Sequence, residues 1–259
     1  MLAYIHIQKT AGQTARSILR KNFGTRHCDL PVNPARINSR VISWIRRCYP
    51  EPDALSGHAV VPGGVLELYE NARVFTILRE PIARAISHYQ FSNRRLIDPE
   101  PLAKWVSVNT NRQVRALAGE ENLDKAIEFL ETRVGFTGLT EQFDESLILF
   151  RKWVNRDLFD IGYAPVNVAS KNEIRQKIMS NESQFALIQE SNQLDTKLYD
   201  YVKSEIYPRQ KIEFGPGLAE ATASFKRSLP GAGNTSLKSI SGRMKRNILF
   251  RHRFNRLLS

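Results

Sequence analysis

Twice along this chain an apolar run gives way at once to a polar turn and then to apolar residues at helical spacing. The first copy runs from Leu2 to Ile7, through Gln8-Lys9-Thr10-Ala11-Gly12-Gln13-Thr14, into Ala15, Ile18, Leu19 and Phe23. The second runs from Arg73 to Leu78, through Arg79-Glu80-Pro81, into a helix predicted over 82–91. Proline suits a first helical turn, where its missing N–H is not needed. Strands that feed helices predict an α/β domain with a mainly parallel central sheet flanked by helices. Further helices are predicted over 37–48, 102–117, 123–132, 145–154, 183–189 and 194–206. Residues 59–65 form a short apolar segment that turns at Pro62-Gly63-Gly64, and no internal repeat is visible.

A length of 259 residues suits one large domain, and 42% apolar with 25% charged residues is ordinary for a globular protein, which excludes disorder or a fibrous repeat for the whole. The longest apolar stretch, 54–69, is broken by His58, Pro62 and Glu67, so no membrane span is expected. Met1-Leu2-Ala3-Tyr4-Ile5-His6 has neither a basic n-region nor an apolar h-region, so a cytoplasmic location is expected. Cys28 and Cys48 lack zinc-ligand spacing, which predicts buried thiols and no metal.

The formal charge of +12 comes from 38 basic and 26 acidic residues. Nine of the basic ones and none of the acidic ones lie in 225–259, so the body is nearly neutral and a nucleic-acid partner is not expected. Two units follow: a domain over 1–225 and a basic linker and tail over 226–259.

The two strand-to-helix junctions carry the chemistry. Lys9, Thr10, Gly12 and Thr14 stand where loop and helix N–H groups point outward together, which makes an anion cradle. The order G-x-x-x-x-G-K-[ST] is absent, so this is not a Walker A loop. The alternative is a plain turn with a threonine cap. At the second junction Arg79 ends a strand and Ser87 lies about two turns into the helix, so a guanidinium and a hydroxyl can reach one phosphate. An exposed arginine and a solvated serine are the alternative there.

Together the junctions resemble a known pair of motifs. Ile5-His6-Ile7-Gln8-Lys9-Thr10-Ala11-Gly12-Gln13-Thr14 resembles the 5′-phosphosulfate loop of the sulfotransferases that use 3′-phosphoadenosine 5′-phosphosulfate (PAPS). The stretch from Phe75 through Arg79-Glu80-Pro81 and Ser87 to Tyr89 resembles their 3′-phosphate motif. The similarity is greatest to the heparan sulfate 2-O- and 6-O-sulfotransferases and their bacterial relatives. Asn111-Arg112-Gln113-Val114-Arg115-Ala116-Leu117-Ala118-Gly119 and Gly138-Leu139-Thr140-Glu141-Gln142-Phe143-Asp144-Glu145-Ser146-Leu147 fit the same group, so the likeness covers about 2–210. Gln8 stands where the family usually has proline, and Gln13 where it usually has threonine or serine.

The resemblance implies a P-loop-kinase-like sulfotransferase fold and transfer of the sulfuryl group from PAPS to a hydroxyl of a saccharide or glycoconjugate, without a metal. It gives the 5′-phosphosulfate to Lys9, helped by Thr10, Gly12, Gln13 and Thr14, and the 3′-phosphate to Arg79 and Ser87. His58, after Gly57, matches the position of the general base, with Glu80 in reserve. Lys171 sits where a late loop would close over the nucleotide. His6 reads as a core residue of the first strand, His88 stands beside Ser87, and His27 and His252 have no supporting context. Asn111, Arg112 and Arg115 either order the site and hold an anionic acceptor or are solvated. Arg94-Arg95 would meet a polyanionic glycan or belong to a charged loop, and Trp44, Trp105 and Trp153 read as core anchors. A kinase-like nucleotide-binding enzyme and a non-catalytic adaptor for membrane or polyanion are the alternative functions.

In the tail, Pro230, Gly231, Gly233, Gly242 and several serines predict a flexible linker over 228–242. Beyond it Ile240, Met244, Ile248, Phe250, Phe254, Leu257 and Leu258 fall on one half of a helical wheel, with basic residues mostly on the other. Such a helix is expected to lie on an anionic membrane surface, near lipid-linked acceptors. Docking back on the enzyme is the alternative.

Overall fold

The apolar runs become strands because both of their faces are covered. The computed structural model describes residues 1–30, 37–49, 51–93, 101–164 and 173–230. Within them β1 (Leu2–Ile5) and β3 (Ala54–Gly57) are buried along their whole length, and β2 (His27–Leu30), β4 (Arg73–Leu78) and β5 (Val134–Leu139) nearly so. They form one sheet in the order β2-β3-β1-β4-β5, and every pairing is parallel. The chain is thus a single α/β domain with a parallel central sheet flanked by helices.

One helix follows β1, α1 (Gly12–Phe23), and one follows β2, α2 (Ser39–Cys48). Between β4 and β5 lie α3 (Pro81–Asn93), α4 (Leu102–Ser107), α5 (Arg112–Ala118) and α6 (Leu123–Thr132). After β5 come α7 (Phe143–Val154), α8 (Glu173–Met179), α9 (Glu182–Ser191), α10 (Gln193–Tyr201), α11 (Tyr207–Phe214) and α12 (Leu218–Ser228). The chain leaves β1 toward β2 and leaves β4 toward β5, in opposite directions along the sheet. The carboxyl ends of these two adjacent strands therefore open a crevice, the place where parallel sheets bind ligands.

Several sequence expectations need correction. Strands β2 and β3 were not predicted, since four residues with both faces buried carry no alternation. β5 was hidden by Gly135 and Gly138, yet packing requires the first and leaves little room at the second. A Cβ on Gly135 would lie 2.7 Å from the Trp153 ring, and one on Gly138 3.2 Å from Ser146. The helix predicted over 102–117 is broken between α4 and α5, because Asn111 takes φ 39° and turns its Oδ1 to the amides of Leu194 (3.0 Å) and Asp195 (3.1 Å). The helix predicted over 194–206 continues through a π turn, Val202–Ile206, into α11. The boundary after 225 falls inside α12, where Phe225 packs against Tyr163 at 6.4 Å. The amphipathic tail segment lies outside the described residues. Cys28 is buried as expected, whereas Cys48 is exposed.

The main core lies on the sheet, and a smaller one joins α3, α4 and α9 through Ile86, Trp105 and Ile188. Trp153 packs against Phe75, Phe136 and Phe150, and Trp44 against Tyr49. Among the described residues no helix is long and apolar enough to cross a membrane.

Candidate functional site

The loop after β1 is held in a strained form. Lys9 (φ 70°) and Ala11 (φ 61°) are both left-handed, a conformation that costs about 1–3 kcal/mol per residue without glycine. Two bonds hold it: the Thr10 hydroxyl donates to the Ile7 carbonyl at 3.0 Å, and Arg79 Nη1 donates to the Lys9 carbonyl at 3.1 Å. Thr10 is fully buried, and its hydroxyl serves the loop itself. Ala11, not a threonine, occupies the cap position of α1, and it supplies no side-chain acceptor. The amides of Thr14 and Ala15 bond to the Ala11 carbonyl, whereas those of Gly12 and Gln13 have no acceptor among the described residues. With no acidic residue in the first turn, this end of α1 is an uncompensated positive terminus. Gln13 is exposed and Thr14 half-buried beside it. The Lys9 ammonium lies 4.5 Å above the Phe91 ring of α3.

The loop after β4 is clamped by a residue that sequence reasoning passed over. Gln113 accepts from the Arg79 amide at 3.0 Å and donates to the Arg79 carbonyl at 2.9 Å. The amides of Gln113 and Val114 in turn donate to Asp195 at 3.0 and 2.8 Å. Arg84 shares that buried hub, with Nε 3.8 Å from Asp195 and Nη2 3.4 Å from Asn192 Oδ1. Burial raises Asp195, against Arg84 and the amides that favour its charge, and lowers Arg84 to about 10. The available signal was an arginine spaced among Ala85 and Ile86 on the inward side of α3. Glu80 has both carboxylate oxygens engaged by the amides of Ile82 (2.9 Å) and Ala83 (2.7 Å), so it is the cap of α3. Ser87, half-buried on α3, keeps a hydroxyl without a partner among the described residues.

His58 follows β3, on the other side of β1. A carbonyl only accepts, so the 2.8 Å contact between His58 Nδ1 and the His6 carbonyl fixes the proton on Nδ1 and leaves Nε2 as a lone-pair acceptor. Burial lowers the His58 pKa, against the bond to His6. Arg16 and Arg112 push the same way as burial, and Asp29 opposes. Burial, and His58 after it, take His6 to about 3. His88 falls to about 3 for the same first reason and packs edge-on against Trp105 at 5.2 Å.

His27 forms what looks like a triad and is not one. Its Nε2 lies 2.8 Å from Ser56 Oγ, but Ser56 donates its own proton to Asp29 at 2.9 Å, so His27 must donate to the serine. Asp29 is ion-paired to Arg16 and Arg20, and the network ties α1 to β2 and β3. Arg115 pairs with Glu121. Arg112 is half-buried at the start of α5, with its charge felt at His58, His88 and Arg84. Arg94, Arg95, Lys171 and His252 lie outside the described residues.

The two junctions meet at the bond from Arg79 to the Lys9 carbonyl; Ser87 lies on the helix that follows Arg79, and His58 follows β3, which pairs with β1. Cations and free donors on two adjacent strand ends suit a ligand with two anionic groups, and an imidazole of fixed tautomer suits proton abstraction. No family model matches the chain, and no curated protein matches it.

Proposed function

We propose that the chain is a PAPS-dependent sulfotransferase that modifies a hydroxyl of a saccharide or glycoconjugate. The bond from Arg79 Nη1 to the Lys9 carbonyl carries this reading, because it joins the two anion-binding junctions into one site at the switch point of the sheet. The uncapped amides of Gly12 and Gln13 and the free Ser87 hydroxyl fit a donor with phosphates at both ends. Bound there, PAPS would supply a sulfuryl group on a phosphate leaving group. Lys9 and the α1 amides hold the 5′ end and meet the charge that grows on the leaving oxygens, the electrostatic contribution usual in such transfers. Arg79 and Ser87 hold the 3′-phosphate; the role of Lys171 toward the nucleotide rests on the sequence resemblance alone. His58 Nε2 takes the acceptor proton, a step that typically contributes about 10²- to 10⁴-fold. The P-loop-kinase-like assignment, the cytoplasmic location and the attachment of 226–259 to an anionic membrane belong to the same proposal and rest on the sequence.

Calorimetry with adenosine 3′,5′-bisphosphate and with ADP tests it. The bisphosphate is expected to bind at least tenfold more tightly. Equal or tighter binding of ADP favours the kinase-like reading, and binding of neither favours the adaptor.

A further inference from the structure

His58 is held from behind by His6 in two ways: through the carbonyl bond, and through ring planes stacked at 4.4 Å with 23° between them. His6 itself stacks on Tyr4 (5.6 Å, 19°), and Tyr4 on Phe75 (4.8 Å, 17°). Four near-parallel rings therefore run from the core of the sheet to His58. The end of α1 closes on the same plate. A Cβ on Gly12 would lie 1.8 Å from His6 Nε2 and 2.0 Å from His6 Cδ2, far inside van der Waals contact. Gly12 begins a regular helix and does not take a left-handed φ, so its backbone does not require glycine. The His6 ring does.

We propose that His6 is the positioning residue for His58, and that Gly12 is glycine to make room for it. The seated His6 ring fixes both the plane of the His58 imidazole and the carbonyl that takes its Nδ1–H. That bond reverses the preference of a free histidine side chain in water for the Nε2–H form and keeps Nε2 open as the proton acceptor. Among the described residues, the other charged or titratable groups that act on His58 are Arg16 of α1, Asp29 of β2, Arg112 of α5 and His88 of α3. The contact made by Nδ1 is to the His6 carbonyl. Gly12, read in the sequence as part of the anion cradle, then also serves the base. The value of the arrangement to catalysis rests on the sulfotransferase reading; the arrangement does not.

The test is nitrogen NMR of the full chain labelled with ¹⁵N-histidine at pH 7.5, with the His58 signals assigned by their loss in His58→Ala. The wild type is expected to give the Nδ1–H pattern. His6→Ala, which removes the plate, is expected to shift His58 to a mixture dominated by Nε2–H, and His6→Phe to restore the wild-type pattern. Gly12→Ala should follow His6→Ala if it folds; the His6 pair decides the matter if it does not. Nε2–H in the wild type, no change in His6→Ala, or no rescue in His6→Phe overturns the proposal. In the transfer assay His6→Ala should lose about tenfold in kcat with bisphosphate affinity within twofold. If no bisphosphate binds, the sulfotransferase reading fails, while the spectra still judge the role of His6.

Discussion

Among single residues, Lys9 and His58 have the most clearly separated roles in the proposed reaction. Lys9 is half-buried, and its ammonium over the Phe91 ring is worth about 0.5–1 kcal/mol at a partly exposed site. Lys9→Ala is therefore expected to leave the thermal midpoint within a few degrees of wild type and to reduce kcat/KM by far more than tenfold, a loss above about 1.4 kcal/mol. Retention of a tenth of the activity would remove the lysine from the chemistry. His58 must be neutral to act as a base, and its pKa is held below the ordinary 6.5, chiefly by burial. The acid limb of kcat/KM is thus expected below pH 6.5, with activity rising through that limb and flat above it. A midpoint at or above 7 in the pH profile would point to another base.

At the scale of elements, α5 and α10 act as a clamp on the loop after β4. Asp195 collects two α5 amides and faces Arg84, and Gln113 passes that order to the main chain of Arg79. Removing one partner of a buried charge network costs about 3–5 kcal/mol, because the other is left unpaired. Asp195→Ala is expected to lose about that much in denaturant unfolding. Gln113→Ala leaves the Arg79 amide and carbonyl unpaired, for about 1–3 kcal/mol. It should also weaken the adenosine 3′,5′-bisphosphate complex several-fold by calorimetry. Unaltered affinity in a folded Gln113→Ala protein would show that the clamp serves stability alone.

For the whole molecule, acid is the condition that should separate fold from unfolded chain. His6 and His88 are depressed to about 3 and His27 to about 4, each mainly by burial, while an unfolded histidine titrates near 6.5. Below that pH the unfolded state binds more protons, so stability is full above about 6.5 and falls as pH drops toward the folded values. Each histidine adds at most about 1.4 kcal/mol per pH unit. The guanidinium midpoint is expected to be level from pH 8 to 7 and to fall clearly by pH 5; a level midpoint down to 5 would mean that these imidazoles are not neutral in the fold. The tail is tested on anionic liposomes at physiological salt, against a chain ending after Pro230 so that α12 stays whole. The full chain alone is expected to pellet, and equal pelleting of the two would end the membrane proposal. The sequence alone determined the α/β class, the two strand-to-helix junctions with Lys9 and Arg79, and a helix of the right extent such as α6, because each is written in local periodicity and turn chemistry. Strands β2, β3 and β5, the break at Asn111 and the clamp formed by Gln113 and Asp195 were decided only in the tertiary structure. Their causes are partners up to 84 positions away, as for the Asn111 side chain and the Asp195 amide, and no window along the chain contains both. Gly12 and His6 lie close together in the sequence, yet the need for a missing side chain appears only once the loop folds the His6 ring onto the start of the helix.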